Sequence, residues 1–200
     1  MKEPLQPGYF YHIYNHANGN ENLFLCDENY RFFLQQWVKY IEPVAHTYAY
    51  CLMPNHFHAL VRIKSEEALT STFGKFETFQ KLERRLSKQF ANLFSSYTQA
   101  FNKMYDRKGS LFIQNFKRKP ISSDDYLSNI IFYIHHNPLH HGFTNNIEDW
   151  PHSSYHALIS DKKTRLERAY VNKWFGGKER LRAFHQQSIK GLKELEMEFT

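Results

Sequence analysis

The chain has 200 residues, 42% of them apolar and 23% charged, and its 26 Lys and Arg against 20 Asp and Glu give a net charge of +6. These proportions exclude a wholly disordered or fibrous polypeptide, and the sequence holds no eighteen-residue apolar run that could cross a membrane. Two cysteines, Cys26 and Cys51, are too few for a disulfide framework or a four-cysteine zinc site, and a start of Met1-Lys2-Glu3-Pro4 lacks the layout of a secretory signal, so a cytoplasmic protein is expected.

Taken in chain order, residues 8–16 are β-prone and predict a first strand, broken by Asn18-Gly19-Asn20. Asp27 is a candidate N-cap for a helix over 28–41, with Phe32, Phe33, Trp37 and Tyr40 at helical spacing and Pro43 closing it. Residues 46–53 predict a second strand, Met53-Pro54-Asn55 a turn, and His56 to Ile63 a third strand. The stretch 70–104 has no proline and one glycine, and predicts a long helix or helical pair carrying Phe76, Phe79, Leu82, Leu86, Phe90, Leu93, Phe94 and Phe101 as its apolar stripe. A fourth strand is expected over 110–119. Ser122 or Ser123 then caps a helix over 124–137, with Leu127, Ile130, Ile131 and Ile134 on one face and Pro138 ending it. Short helices are expected near 153–160, 164–174 and 177–195, with a glycine cap at Trp174-Phe175-Gly176-Gly177. The order βαββαβ plus a further helix predicts an α+β fold: a ferredoxin-like antiparallel sheet with helices on one face. Residues 1–156 form the expected main domain and 157–200 a helical C-terminal extension.

Charge and aromatic content are the two compositional departures. Tyr (13) and Phe (18) dominate an aromatic fraction of 17%. Residues 75–119 hold eleven Lys and Arg against three acids, so the remainder of the chain is slightly acidic. Basic charge recruits polyanions and aromatic faces stack on unpaired bases, although an aromatic core with a solvated basic face fits the same numbers. Arg84, Arg85, Lys88, Arg107, Lys108, Lys117, Arg118 and Lys119 are the candidate phosphate contacts. In the extension, Arg180, Arg182 and Lys190 carry charge whose role is open.

Two segments carry chemistry. In Met53-Pro54-Asn55-His56-Phe57-His58, a strand puts His56 and His58 on one face and Phe57 on the other. Paired imidazoles are half of a metal site, a pair of catalytic bases, or simply two surface or hydrogen-bonded histidines. In Tyr133-Ile134-His135-His136-Asn137-Pro138, Tyr133 and Asn137 lie one helical turn apart. Tyr133 is then either a functional hydroxyl or one more core aromatic.

Taken together and in order, these segments resemble the HUH single-strand transposases, specifically the REP-associated tyrosine branch. The resemblance rests on Tyr11-His12-Ile13-Tyr14-Asn15, on Tyr48 to His58, and on Gly109-Ser110-Leu111-Phe112. It continues through Asp125-Tyr126-Leu127, Tyr133 to Pro138, and Trp150-Pro151-His152-Ser153-Ser154-Tyr155, covering about residues 8–156. It implies His56, His58 and Asn137 as ligands of a divalent metal, Mg²⁺ or Mn²⁺, and Tyr133 as the nucleophile. Tyr126 is a rival nucleophile and His136 a rival ligand. Two features depart from the family pattern: a long stretch between His58 and Gly109, and His135-His136 where acidic or aliphatic residues are usual.

The implied activity is a metal-dependent transesterification of single-stranded or hairpin DNA through a 5′-phosphotyrosine link, in a nucleoid-associated monomer or homodimer. Free tyrosine, with a pKa near 10, is a sluggish nucleophile at neutral pH, and a divalent cation relieves this by polarising the phosphate. A non-catalytic DNA-binding regulator of the same fold and a water-using metal-dependent nuclease remain as alternatives.

Overall fold

The computed structural model describes residues 3–121 and 124–186, and for residues 124–126 it describes the backbone alone. The elements are β1 (Phe10–His16), α1 (Asp27–Tyr40), β2 (Ala45–Met53), β3 (His56–Ile63), α2 (Glu66–Phe73), α3 (Phe79–Met104), β4 (Lys117–Ile121) and α4 (Asp124–His140). A short 3₁₀ turn (Ile147–Asp149) and three helices follow: α5 (Tyr155–Ile159), α6 (Arg168–Phe175) and α7 (Lys178–His185). The strands form one sheet in the order β2-β3-β1-β4, with every pair antiparallel. That is the ferredoxin-like order expected from βαββαβ. Among the described residues no helix is long and apolar enough to cross a membrane.

Alternation along the strands sorts the sheet into two faces. Tyr11, Ile13, Phe57, Ala59 and Val61 face α1 and α3, where they meet Phe33, Trp37, Phe90, Leu93 and Tyr97. Trp37 Nε1–H donates to Thr47 Oγ1 at 2.9 Å, so the buried indole keeps its hydrogen bond. On α3 the buried residues Leu82, Leu86, Phe90, Leu93, Tyr97 and Phe101 recur every three or four positions, giving a stripe that lies flat on the sheet. The opposite face carries Cys51, Met53, Leu60 and Ile121 beneath Leu127, Ile130, Ile131 and Ile134 of α4, with Leu158, Val171 and Leu181 from α5–α7 completing this second core. Thus α1 and α3 share one face, and the tyrosine-bearing helix occupies the other.

Several boundaries differ from the sequence expectation for identifiable reasons. The 70–104 segment takes the expected helical-pair form, but its first helix begins earlier, at Glu66: Gly74, at φ +81°, ends α2, and Thr78 starts α3 by accepting from Lys81 N–H. Cys26, not Asp27, occupies the N-cap of α1, and Asp27 instead places its charge in the first turn. Strand β4 starts only at Lys117. Before it the chain is tied to the end of β1 by single bonds, Ile113 N–H to His16 O and Asn18 N–H to Leu111 O, both 2.9 Å, and then departs at Asn115, whose φ is +65°. Pro138 lies inside α4 rather than ending it, and the last turn closes with His141 N–H on Asn137 O. The expected serine cap at 122 or 123 and the residues beyond 186, Lys190 included, lie outside the described residues.

Candidate functional site

The site grows from the alternation of two central strands. In the β1–β3 ladder Tyr14 pairs with His58 and His16 with His56, so His12, Tyr14 and His16 share a face with both histidines of β3. Their rings form a continuous aromatic layer: His16 stacks on His56 at 4.4 Å, Tyr14 on His58 at 5.4 Å and His12 on His58 at 5.0 Å. Phe57, between the two histidines, points the other way and is fully buried among Phe33, Trp37 and Phe94.

Helix α4 lies over this layer. The Tyr133 ring sits 5.5 Å from the His58 ring and 6.0 Å from that of His12, and the His141 ring sits 4.7 Å from His56. Positions 133, 137 and 141 are spaced one helical turn apart, so Asn137 lies between the two contacts along the chain. The Asn137 side chain is oriented by its own helix, with Nδ2–H donating to Tyr133 O at 2.8 Å. Its Oδ1 is buried with no hydrogen-bond partner.

The histidines have equally defined roles. His56 Nδ1–H donates to Asn55 Oδ1 at 2.7 Å, which leaves the lone pair on Nε2, and that atom too is buried without a partner. His58 Nδ1 lies 2.8 Å from His12 Nε2. Burial, reinforced by His16 and His141, pushes the His56 pKa down to about 2. Burial followed by His12, His56, His16 and His141 holds His58 well below the ordinary imidazole range. Both imidazoles are neutral at physiological pH, the form in which histidine binds metal.

Among the described residues no three His, Cys, Asp or Glu side chains gather as a ligand set. The donors present are two imidazoles and one amide oxygen. This set fits a divalent cation, because two of the three atoms are buried polar groups left unsatisfied by the protein, an arrangement that costs free energy unless something binds there.

The other sequence candidates divide by location. Lys117 and Lys119 alternate with Arg118 on β4, pair with Tyr14 and His12, and so lie on the histidine face. Arg118 points the opposite way, 2.6 Å from Ser87 Oγ and 3.0 Å from Glu83. Arg107 is bound to Glu21, to Asn102 Oδ1 and to the carbonyls of Gly109 and Ser110, fastening the turn after α3. Arg85 donates to Phe73 O at 3.1 Å and lies over the Phe73 and Phe76 rings, capping α2. Arg84 and Lys88 are exposed on α3, and Lys108 on the turn beyond it. His136 is turned away from the pair, with Nδ1 2.9 Å from Phe132 O and Nε2 3.1 Å from His185 O. The side chain of Tyr126 lies outside the described residues. Sequence reading missed His12, Tyr14, His16, Asn55 and His141. The first three alternate along one strand, a period-2 signal that matches the spacing of His56 and His58.

Comparison with known proteins adds an independent line. No protein-family model matches the chain. A Haemophilus influenzae protein that carries the provisional name REP-associated tyrosine transposase is 27% identical over 132 residues, which is 65% of this chain and 66% of that protein, just under two thirds of its length. The solved structure of a REP-associated tyrosine transposase bound to a REP hairpin matches with a TM-score of 0.59 at 17% identity, covering 80% of this chain and 85% of that one, and shares the fold. The chain is thus similar in sequence to one protein named as a REP-associated tyrosine transposase and shares the fold of another.

Proposed function

We propose that this chain cuts and rejoins single-stranded DNA next to a hairpin by transesterification, with Tyr133 as the nucleophile. The observation that carries the reading is the helical stripe Tyr133–Asn137–His141 laid over the His56–His58 pair, with Asn137 Oδ1 and His56 Nε2 both buried and unpartnered. The hairpin is taken from the related structure, whose protein is bound to one. Residues 1–156 are the catalytic unit in this reading; α5, which runs across that boundary, and α6 and α7 beyond it brace α4 through Leu158, Val171 and Leu181.

His56, His58 and Asn137 would hold a divalent cation, Mg²⁺ or Mn²⁺, which when bound supplies positive charge to the scissile phosphate. The protein's own residues do the rest. Tyr133 Oη forms a bond to phosphorus while the bond to the 3′ oxygen breaks. The phenolic proton is lost, the departing oxygen gains a proton to become a 3′-hydroxyl, and the 5′ phosphate stays on Tyr133. One phosphodiester replaces another, so the reverse attack by a 3′-hydroxyl rejoins strands without an external energy source. Lys117 and Lys119 lie on the same face and contact the DNA backbone there, while Arg84, Lys88 and Lys108 add charge elsewhere. The protein works in the cytoplasm at the nucleoid, as a monomer or homodimer.

The test is a denaturing gel of the protein incubated with labelled hairpin oligonucleotides drawn from DNA flanking its gene, with Mn²⁺ or EDTA. A metal-dependent covalent band lost in Tyr133→Phe and His58→Ala, but kept in Tyr126→Phe, is the expected result. Loss in Tyr126→Phe alone moves the nucleophile. Free cleavage products without an adduct point to a water-using nuclease, and binding without cleavage to a regulator.

A further inference from the structure

Apolar contact holds α4 against the sheet through Leu127, Ile130, Ile131 and Ile134. Such contact is non-directional, so it sets the distance of the helix better than its rotation or its register. Directional contacts come from other side chains of α4. Near its start, Ser128 Oγ accepts from Trp174 Nε1–H at 2.9 Å. Near its end, His135 is fully buried and hydrogen-bonded through both ring nitrogens. At about 100° per residue, His135 lies about 200° round the helix from Tyr133, on the opposite side.

The bonds of His135 belong to a chain that runs from α7 to the sheet, and its proton positions follow from its ends. Leu181 O cannot donate, so His185 Nδ1, 2.9 Å away, carries a proton and His185 Nε2 is the acceptor. Both rings are buried and neutral, so the 2.8 Å contact between them is donated by His135 Nδ1–H. His135 Nε2 is then left to accept from Ser154 Oγ–H at 2.8 Å. Ser154 is clamped on the backbone of β2: its Oγ accepts from Tyr50 N–H at 2.8 Å, and its own N–H donates to Tyr50 O at 2.9 Å. One residue further along β2, Cys51 pairs with His58 of β3. Each ring nitrogen has a partner and both ends are backbone, so one arrangement of protons satisfies the chain.

We propose that this buried relay, from Leu181 O through His185, His135 and Ser154 to Tyr50, fixes the rotation and register of α4 and so places Tyr133 beside His58. His135, His185 and Ser154 are then positioning residues, and α7 takes part in the reaction without touching its substrate. The inference rests on the proposed function and deepens it. Only one residue stands between His135 and Tyr133, so a shift at His135 passes to the nucleophile through the backbone of a single helix. The other end of the relay sits beside the strand that carries His56 and His58, so both halves of the site are referred to the same frame. The His185 carbonyl, 3.1 Å from His136 Nε2, gives α7 a second hold on the same turn. Attack in line on a phosphate is sensitive to misplacement of about 1 Å, which is the scale on which a lost hydrogen bond lets a helix move.

The test uses the full chain and four variants, each studied well below its own melting temperature. His185→Phe keeps a ring and removes the acceptor, His185→Gln restores an acceptor with its amide oxygen, and Ser154→Ala breaks the far end. Leu86→Ala, in the core on the other face of the sheet, lowers stability without touching the relay. The first readout needs no DNA: the ring resonances of Tyr133 in ¹³C-tyrosine-labelled protein, assigned with Tyr133→Phe and sensitive to the nearby His12 and His58 rings. They are expected to move in His185→Phe and Ser154→Ala, to return in His185→Gln, and to stay in place in Leu86→Ala. The second readout is the single-turnover rate of adduct formation beside the Kd for the same hairpin oligonucleotide. The rate is expected to fall about 10- to 100-fold in His185→Phe and Ser154→Ala with Kd within about twofold, and to recover largely in His185→Gln. Tyr133 resonances that stay in place in both relay variants, or move as far in Leu86→Ala, overturn the inference and leave the proposed function standing. An unchanged rate despite shifted resonances, or a rate loss matched by weaker binding, overturns it as well. A parent protein that forms no adduct with any hairpin removes the proposed function, and the resonances still decide whether the relay places Tyr133.

Discussion

His12 Nε2 lies 2.8 Å from His58 Nδ1, and the two rings stack with centroids 5.0 Å apart, both fully buried. If His58 is to present Nε2 to a cation, its proton sits on Nδ1 and is donated to His12, which acts as a neutral acceptor. Metal-binding histidines usually give this proton to a carboxylate or carbonyl; here a second imidazole takes it.

Replacing His12 with Phe keeps a ring of similar size and removes the acceptor. Mn²⁺ affinity, read by electron paramagnetic resonance, is expected to fall about 10- to 100-fold, and His12→Gln to recover part of it. Melting without metal also drops, by about 1–3 kcal/mol, because the His58 N–H is left unpaired. Unchanged Mn²⁺ binding in His12→Phe would mean that His58 is oriented by something else.

Arg118 and Lys117 are chain neighbours with opposite expected phenotypes. The Arg118 side chain is 7% exposed and paired with Glu83, so Arg118→Ala leaves a largely buried carboxylate without its partner and is expected to cost about 3 kcal/mol in urea unfolding. Lys117→Ala, at an exposed edge position, leaves stability unchanged and reduces the slope of log K against log salt for single-stranded DNA by about 0.7. Similar stability losses in both variants would contradict the alternation of β4.

Acid is expected to loosen the α4–α7 packing first. His185 Nδ1–H donates to Leu181 O, and its Nε2 accepts from His135 Nδ1–H at 2.8 Å; His135 Nε2 in turn meets Ser154 Oγ. Burial pushes the His185 pKa down to about 4, and holds His135 well below its ordinary value. A depressed folded-state pKa means that the unfolded chain takes up the proton first. The contribution is intact above pH 6.5 and is lost as pH falls from there towards 4, amounting to about 3 kcal/mol for His185. Urea unfolding across that range measures it, and His185→Gln should flatten the profile.

Phe57 joins the two faces of the sheet through one strand. It is fully buried against Phe33, Trp37 and Phe94 while its neighbours His56 and His58 point the other way. Phe57→Ala is expected to cost about 3–5 kcal/mol and Phe57→Leu distinctly less, by thermal unfolding. An Ala variant as stable as the parent would contradict the packing of β3 against α1 and α3.

Much of this was legible in the residues because the signals are local. Alternation fixed β3 and the shared face of His56 and His58, and three- and four-residue spacing set out most of the buried stripe of α3, although Phe76 falls between α2 and α3 and Phe79 is exposed. The failures occur where tertiary contacts override local preference. Pro138 reads as a helix stop, yet it is carried inside α4, which packs over the sheet and closes one turn later. Residues 110–116 read as strand, but only isolated bonds reach β1 there. The partners of the histidines were hidden for a different reason. Nothing local in His141 says that it packs on His56; that depends on which strands and helices become neighbours. The commitment of Arg107 and Arg118 to carboxylates is equally invisible in a count of basic residues.

The shortness of β4 makes the electrostatics of the whole molecule a question of alignment. Five residues place Lys117 and Lys119 on one side of the sheet and Arg118 and Pro120 on the other. Sliding this edge strand by a single position would carry both lysines across to the α3 side and leave the histidine face without them. The Arg118–Glu83 contact therefore works as a registration pin: an ion pair on the far side of the sheet decides which side carries the two lysines. A residue inserted or deleted between Ile113 and Lys117 would be felt first as an exchange of two lysines for one arginine on the histidine face, before any change in the core.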